Sequence, residues 1–138
     1  MTFKILLDTN ILIDYMIPDR PEHDSAKQLF DLIRVNKAAG YVCAGSLKDA
    51  YYICRKFVDN DRSRRFIRLF ALVLEVLPLG LSECLHSLDS DETDFEDGLI
   101  RAVAELHSMD FIITRDKGAF ESSPVRCLTA KRFVVLFG

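Results

Sequence analysis

Five acidic residues, Asp8, Asp49, Asp94, Asp97 and Asp116, fall where the strands and helices of an alternating α/β pattern begin or end. Carboxylates supply oxygen ligands only, a donor set that suits Mg²⁺ or Mn²⁺ rather than zinc. Packed together without a cation, they repel one another and raise each other's pKa values. A divalent ion relieves that repulsion and makes a phosphoryl site, in which it activates an attacking water and stabilises charge on the phosphorus oxygens and leaving group. Asp8 is the hardest acid to explain otherwise. It closes the apolar run Ile5-Leu6-Leu7, where an uncompensated charge is costly and needs a cap, a partner or a metal. The other four have plainer readings. Asp94 and Asp97 sit at cap and N3 positions of one helix, Asp49 follows Ser46 in a capping-box-like S-x-x-D, and Asp116 can start a turn. Their shared placement at one sheet edge, rather than any single residue, points to metal chemistry. Asp14, Asp24, Asp31 and Glu105 read as solvated or paired helix-face residues, and His23, His86 and His107 lack the spacing of a zinc site or catalytic triad.

The elements that must position these acids follow from hydrophobic periodicity. Lys4–Leu7 reads as a strand buried on both faces, as in parallel sheets covered by helices on both sides. Thr9 and Asn10 open a short helix, and Pro18-Asp19-Arg20-Pro21 breaks the chain. His23–Arg34 carries Ala26, Leu29, Phe30 and Ile33 at helical spacing, and Gly40 is read as its stop. Strands are expected at 41–44, 73–79, 111–114 and 125–128, with Pro78 marking the third as an edge or terminal strand. Helices are expected from Ser46, over 62–72, 82–87 and 95–107, and over 130–137 behind a Thr129 cap, with Asp59-Asn60-Asp61 as a loop. Strands alternating with helices imply right-handed crossovers and a parallel sheet. The expected fold is therefore a three-layer α/β/α sandwich around a mostly parallel five-stranded sheet, formed by residues 1–138 as one domain. Asp8 then lies at the carboxyl end of a central strand, the edge where open α/β sheets hold their ligands.

Composition bounds the function class. At 138 residues the chain suits one domain with its own core. Cys43, Cys54, Cys84 and Cys127 lie far apart in or beside apolar runs, which favours free thiols and a reducing cytoplasm over disulfides or zinc. No stretch approaches the roughly 20 apolar residues of a membrane span, and the N-terminal run is too short for a usual signal peptide. The formal charge of −3 argues against a broad nucleic-acid-binding surface, yet setting aside the five candidate acids leaves +2. Arg62, Arg64, Arg65 and Arg68, with Arg55, Lys56, Arg115 and Lys117, are thus candidates for contacts to backbone phosphates, the plainer reading of the arginine run being a solvated helix face. A dinucleotide-binding turn is excluded because Asp8-Thr9-Asn10 has no glycine. A phosphoaspartyl phosphatase would need an acid where Asn10 stands.

The segments Leu7-Asp8-Thr9-Asn10-Ile11-Leu12, Ser46-Leu47-Lys48-Asp49-Ala50, Asp94-Phe95-Glu96-Asp97-Gly98 and Ile113-Thr114-Arg115-Asp116-Lys117-Gly118 together resemble the PIN domain family, and in particular its small VapC-like members. That resemblance implies Mg²⁺- or Mn²⁺-dependent cleavage of RNA, with Asp8, Asp49, Asp97 and Asp116 as the catalytic acids and Asp94 as an extra acid near the metal. It also implies that Asn10 and Thr114 support the first and fourth acids through hydrogen bonds. Arg62, Arg65, Arg115 and Lys117 are then the expected RNA contacts. A cytoplasmic homodimer held inactive by an antitoxin protein is the implied context, and a catalytically silent PIN-like domain that binds RNA or protein is the alternative. One departure stands out: the family's second acid is usually Glu, and Asp49 is one methylene shorter.

Overall fold

The computed structural model describes residues 2–116 and 118–138. Its strands are β1 (Phe3–Leu7), β2 (Ala38–Cys43), β3 (Glu75–Leu77), β4 (Phe111–Ile113) and β5 (Arg126–Leu128). They form one sheet of order β3-β2-β1-β4-β5 in which every pairing is parallel. The helices are α1 (Thr9–Met16), α2 (His23–Arg34), α3 (Ala44–Cys54), α4 (Asn60–Val73), α5 (Leu81–Asp89), α6 (Phe95–Leu106) and α7 (Ala130–Phe137).

β1 reads as a continuous apolar run because both of its faces are covered. Ile5 and Leu7 join Phe111 and Ile113 in a core built with α1, α2, α3, α4 and α7, whereas Leu6 and Ile112 join Ile100, Val103 and Phe120 on the opposite face. Alternate residues of one strand thus feed two cores, as the two-residue period of a strand requires. This is the expected three-layer α/β/α arrangement. The strand order also makes β1 the point at which the chain turns outward in both directions, toward β2 on one side and β4 on the other. A crevice therefore opens at the carboxyl ends of β1 and β4, where such sheets bind ligands.

Several element boundaries differ from those expected of the sequence. Gly40 lies inside β2 rather than ending α2. A Cβ there would stand 2.6 Å from Leu74 Cδ2 and 2.9 Å from Ile33 Cδ1, so the glycine serves close packing. The stop of α2 is Asn36, in the left-handed region at φ 62°, a conformation asparagine tolerates. Asp59 accepts a hydrogen bond from Arg62 N at 2.8 Å and caps α4, which begins at Asn60, so the expected loop is a helix start. β3 is only three residues long and, as Pro78 suggested, lies at the sheet edge. All four cysteines are free, Cys43 and Cys54 being buried.

Candidate functional site

Asp8 follows β1 directly and caps α1: its Oδ1 accepts from Thr9 N at 2.8 Å. Its Oδ2 accepts from the Thr114 hydroxyl at 2.9 Å, in a bond buried between the ends of β1 and β4. The same hydroxyl oxygen accepts from Asp116 N at 3.0 Å. Thr114 thus ties the first acid to the backbone of the fourth. Asp116 turns the chain locally, its Oδ1 accepting from Gly118 N at 3.0 Å and Ala119 N at 3.2 Å. The turn is anchored below by Phe120, 1% exposed in the second core and at φ 67°, a strained conformation for a bulky side chain.

These ends line a cavity of about 540 Å³ that also receives Asp49 from α3, Asp97 and Glu96 from α6, and Lys48. Asp8, Asp49, Asp97 and Asp116, distant in sequence, share it. Electrostatics registers the crowding. Asp97 is pushed up to about 6 by burial and by Asp94, Asp8, Asp116 and Glu92 around it. Burial raises Asp8 as well, against the hydrogen bonds from Thr114 and Thr9, and Asp116 adds to the rise. Cys43, at the cavity wall, has its thiol pushed up to about 12 by burial and by Asp8 and Glu83, so it is no thiolate nucleophile at neutral pH.

The donor chemistry fits a hard divalent cation: several carboxylates face one cavity, and Lys48, which also lines it, stands 3.6 Å from Asp49 Oδ1. Among the described residues no three His, Cys, Asp or Glu side chains stand close enough to enclose an ion unaided.

The remaining expected residues divide. Asp94 does not line the cavity; it caps α6, its Oδ1 accepting from Asp97 N at 2.9 Å, while still contributing to the raised pKa of Asp97. Asp49 is no cap, since α3 begins at Ala44 and buried Ser46 instead accepts a hydrogen bond from the Thr9 hydroxyl at 2.9 Å. Asn10 lines the cavity, but the hydrogen bonds to the Asp8 carboxylate among the described residues come from Thr9 and Thr114. Arg115 is drawn away from solvent, with Nε 3.1 Å from Oδ2 of Asp14 and Nη1 3.8 Å from Glu22. Asp14 is 0% exposed, paired as its helix-face reading allowed but far more buried than that reading implied. Arg62 and Arg65 neighbour the cap residue Asp59 rather than the cavity, and Lys117 lies outside the described residues. Sequence reasoning missed Glu96 and Lys48 as cavity residues. Their neighbours Asp97 and Asp49 were the only local signal.

Fold and site together define an α/β protein with an acidic crevice at the switch point of a parallel sheet. The family model described as PIN domain matches residues 4–118, and the chain belongs to that family. Solved structures share the fold. The sarcin-ricin loop cleaving toxin VapC20 of Mycobacterium tuberculosis is 13% identical, with a TM-score of 0.70 over 88% of this chain and 95% of its own. DNA-bound VapBC from Salmonella typhimurium is 20% identical, with a TM-score of 0.70 over 94% and 99%. A toxin-antitoxin complex from Klebsiella pneumoniae is 22% identical, with a TM-score of 0.69 over 91% and 97%. No curated protein matches the chain in sequence.

Proposed function

We propose that the protein is a metal-dependent endoribonuclease that hydrolyses RNA phosphodiester bonds, acting as the toxin of a toxin-antitoxin pair. The observation that carries this reading is the gathering of Asp8, Asp49, Asp97 and Asp116 on one cavity at the carboxyl ends of β1 and β4. Asp8, Asp97 and Asp116 would hold Mg²⁺ or Mn²⁺, with Asp49 orienting water. When bound, the ion supplies charge stabilisation at the phosphoryl oxygens and lowers the pKa of a water. The chain's own work is to fix the carboxylates. Thr114 holds Asp8 and the backbone of Asp116 in register, and the hydrogen bonds from Thr114 and from Thr9 at the α1 N-terminus oppose the rise that burial gives the Asp8 pKa.

A protein antitoxin is the proposed partner, supported by structural neighbours that are themselves VapBC, FitAB and other toxin-antitoxin complexes. A homodimer is proposed on the exposed apolar residues Leu81, Leu85 and Leu88 of α5. The free thiols suit a reducing cytoplasm. Among the described residues no helix is long and apolar enough to cross a membrane.

Incubating purified protein with a mixed RNA pool and Mg²⁺, Mn²⁺ or EDTA tests the reading. Cleavage with either ion, its loss in EDTA, and its loss in folded Asp8→Asn and Asp116→Asn proteins are expected. Cleavage that persists in both variants overturns the assignment of the acids, and RNA binding without any cleavage identifies a silent binding domain instead.

A further inference from the structure

A second cavity, of about 530 Å³, opens between α3 and α4 beside the acidic one. Lys48, Tyr51, Tyr52, Arg64 and Arg68 line it over a floor of small and aliphatic side chains, and among the described residues no carboxylate lines it. Lys48 and Tyr52 also line the acidic cavity, so the two spaces share a wall. Tyr52 is 64% exposed, and its ring is braced edge-on by Tyr51 at 5.0 Å between centroids. The Tyr51 hydroxyl in turn bonds Asn60 at the start of α4. Arg64 and Arg68 stand four residues apart, a like-charge spacing that destabilises an exposed helix, and neither forms an ion pair among the described residues. Cations for phosphates and an exposed aromatic face for a base are the means by which proteins hold single-stranded nucleic acid. An antitoxin-like helix would ask for a continuous apolar stripe, which this wall of three cations does not offer.

We propose that the α3–α4 groove is a single-stranded RNA subsite, holding the nucleotides next to the linkage that lies in the acidic cavity. Arg64 and Arg68 take backbone phosphates, and Tyr52 stacks under a base whose neighbouring phosphate passes Lys48 into the cavity. Stacking on Tyr52 requires an unpaired base, so the groove selects single strands over duplex. The inference rests on the ribonuclease reading above and names how that site takes its substrate.

Fluorescence anisotropy with a short labelled single strand, using Asp8→Asn protein so that binding is read without cleavage, tests it. Arg64→Gln/Arg68→Gln is expected to make the dependence of log K on log salt shallower by about 1.4, the loss of two phosphate contacts to a single strand. Tyr52→Ala is expected to weaken binding about tenfold, the loss of one stacked base. Arg62→Gln/Arg65→Gln removes the same charge beside Asp59 and should leave the slope unchanged; thermal melts confirm folding of each variant. An unchanged slope in the groove variant, an equal change in both double variants, tighter binding of the matching duplex, or an acidic helical peptide filling the groove without displacing RNA overturns the proposal. Binding differences that persist in a protein that cuts no RNA support the groove and remove the ribonuclease reading alone. Cleavage with no binding difference removes the groove alone.

Discussion

Asp97 shows what the acidic cavity costs the protein without a cation. Its native pKa of about 6 lies above the ordinary 3.8, so between those values the native state binds more protons than the unfolded state. Stability contributed by this group is therefore lost as pH rises from about 4 to 6. Asp97→Asn should raise the stability of the metal-free protein at pH 7 by about 1 kcal/mol, allowing for solvent screening of a partly exposed group, and should flatten that stretch of the pH curve. Melts in EDTA across this range check it; a variant no more stable than the parent at pH 7 contradicts it. Asp14 also has a raised pKa, but substituting Arg115 removes a compensating charge rather than the buried acid. Burial raises the Asp14 pKa while Arg115 lowers it, so Arg115→Ala leaves a fully buried carboxylate without its partner. The expected loss is about 2 kcal/mol at pH 7 by urea denaturation, less than for a fully buried pair because Arg115 is partly exposed. The loss should shrink as pH falls and Asp14 takes up a proton.

At the scale of elements, the packing of α5 on α6 depends on the absence of a side chain. A Cβ at Gly98 would fall 2.0 Å from the Ser87 hydroxyl oxygen and 3.1 Å from Ser87 Cβ, one residue after Asp97. Gly98→Ala should cost about 1–3 kcal/mol by overpacking. In a Ser87→Gly background the same change should become neutral or favourable, since alanine is the better helix residue. Additive effects in that double-mutant cycle would show that the two helices relax apart instead. Element types were legible in the sequence because period and polarity carry them: His23–Arg34 and Ala130–Phe137 form helices with the bounds their patterns imply. Two of the errors fall where a local signal had a tertiary cause. Gly40 resembles a helix stop but makes room for Leu74 and Ile33, and Ser46 resembles a cap but bonds Thr9 across to α1.

At the scale of the molecule, ion binding should couple to the charge of the cavity as a whole. A cation that binds only the folded state stabilises it by mass action, about 2.7 kcal/mol at a hundredfold excess over its Kd. Because burial raises both Asp8 and Asp97, and Asp97 titrates at about 6, Mg²⁺ should raise Tm more at pH 8 than at pH 5, where a proton already occupies Asp97. Differential scanning fluorimetry with Mg²⁺ at the two pH values tests this, and an equal shift at both would mean that the ion binds elsewhere.

From the chain alone came the alternating α/β order, the central buried strand and the acids at element ends, since each depends on residues near in sequence. Tertiary structure decided which acids meet and what the cations do. Glu96 and not Asp94 entered the cavity, Arg115 was drawn to Asp14, and Arg64 and Arg68 rather than Arg62 and Arg65 came to face the groove. The reason is physical: a helical period says that a side chain faces outward, but only the packing of one element on another determines what it faces.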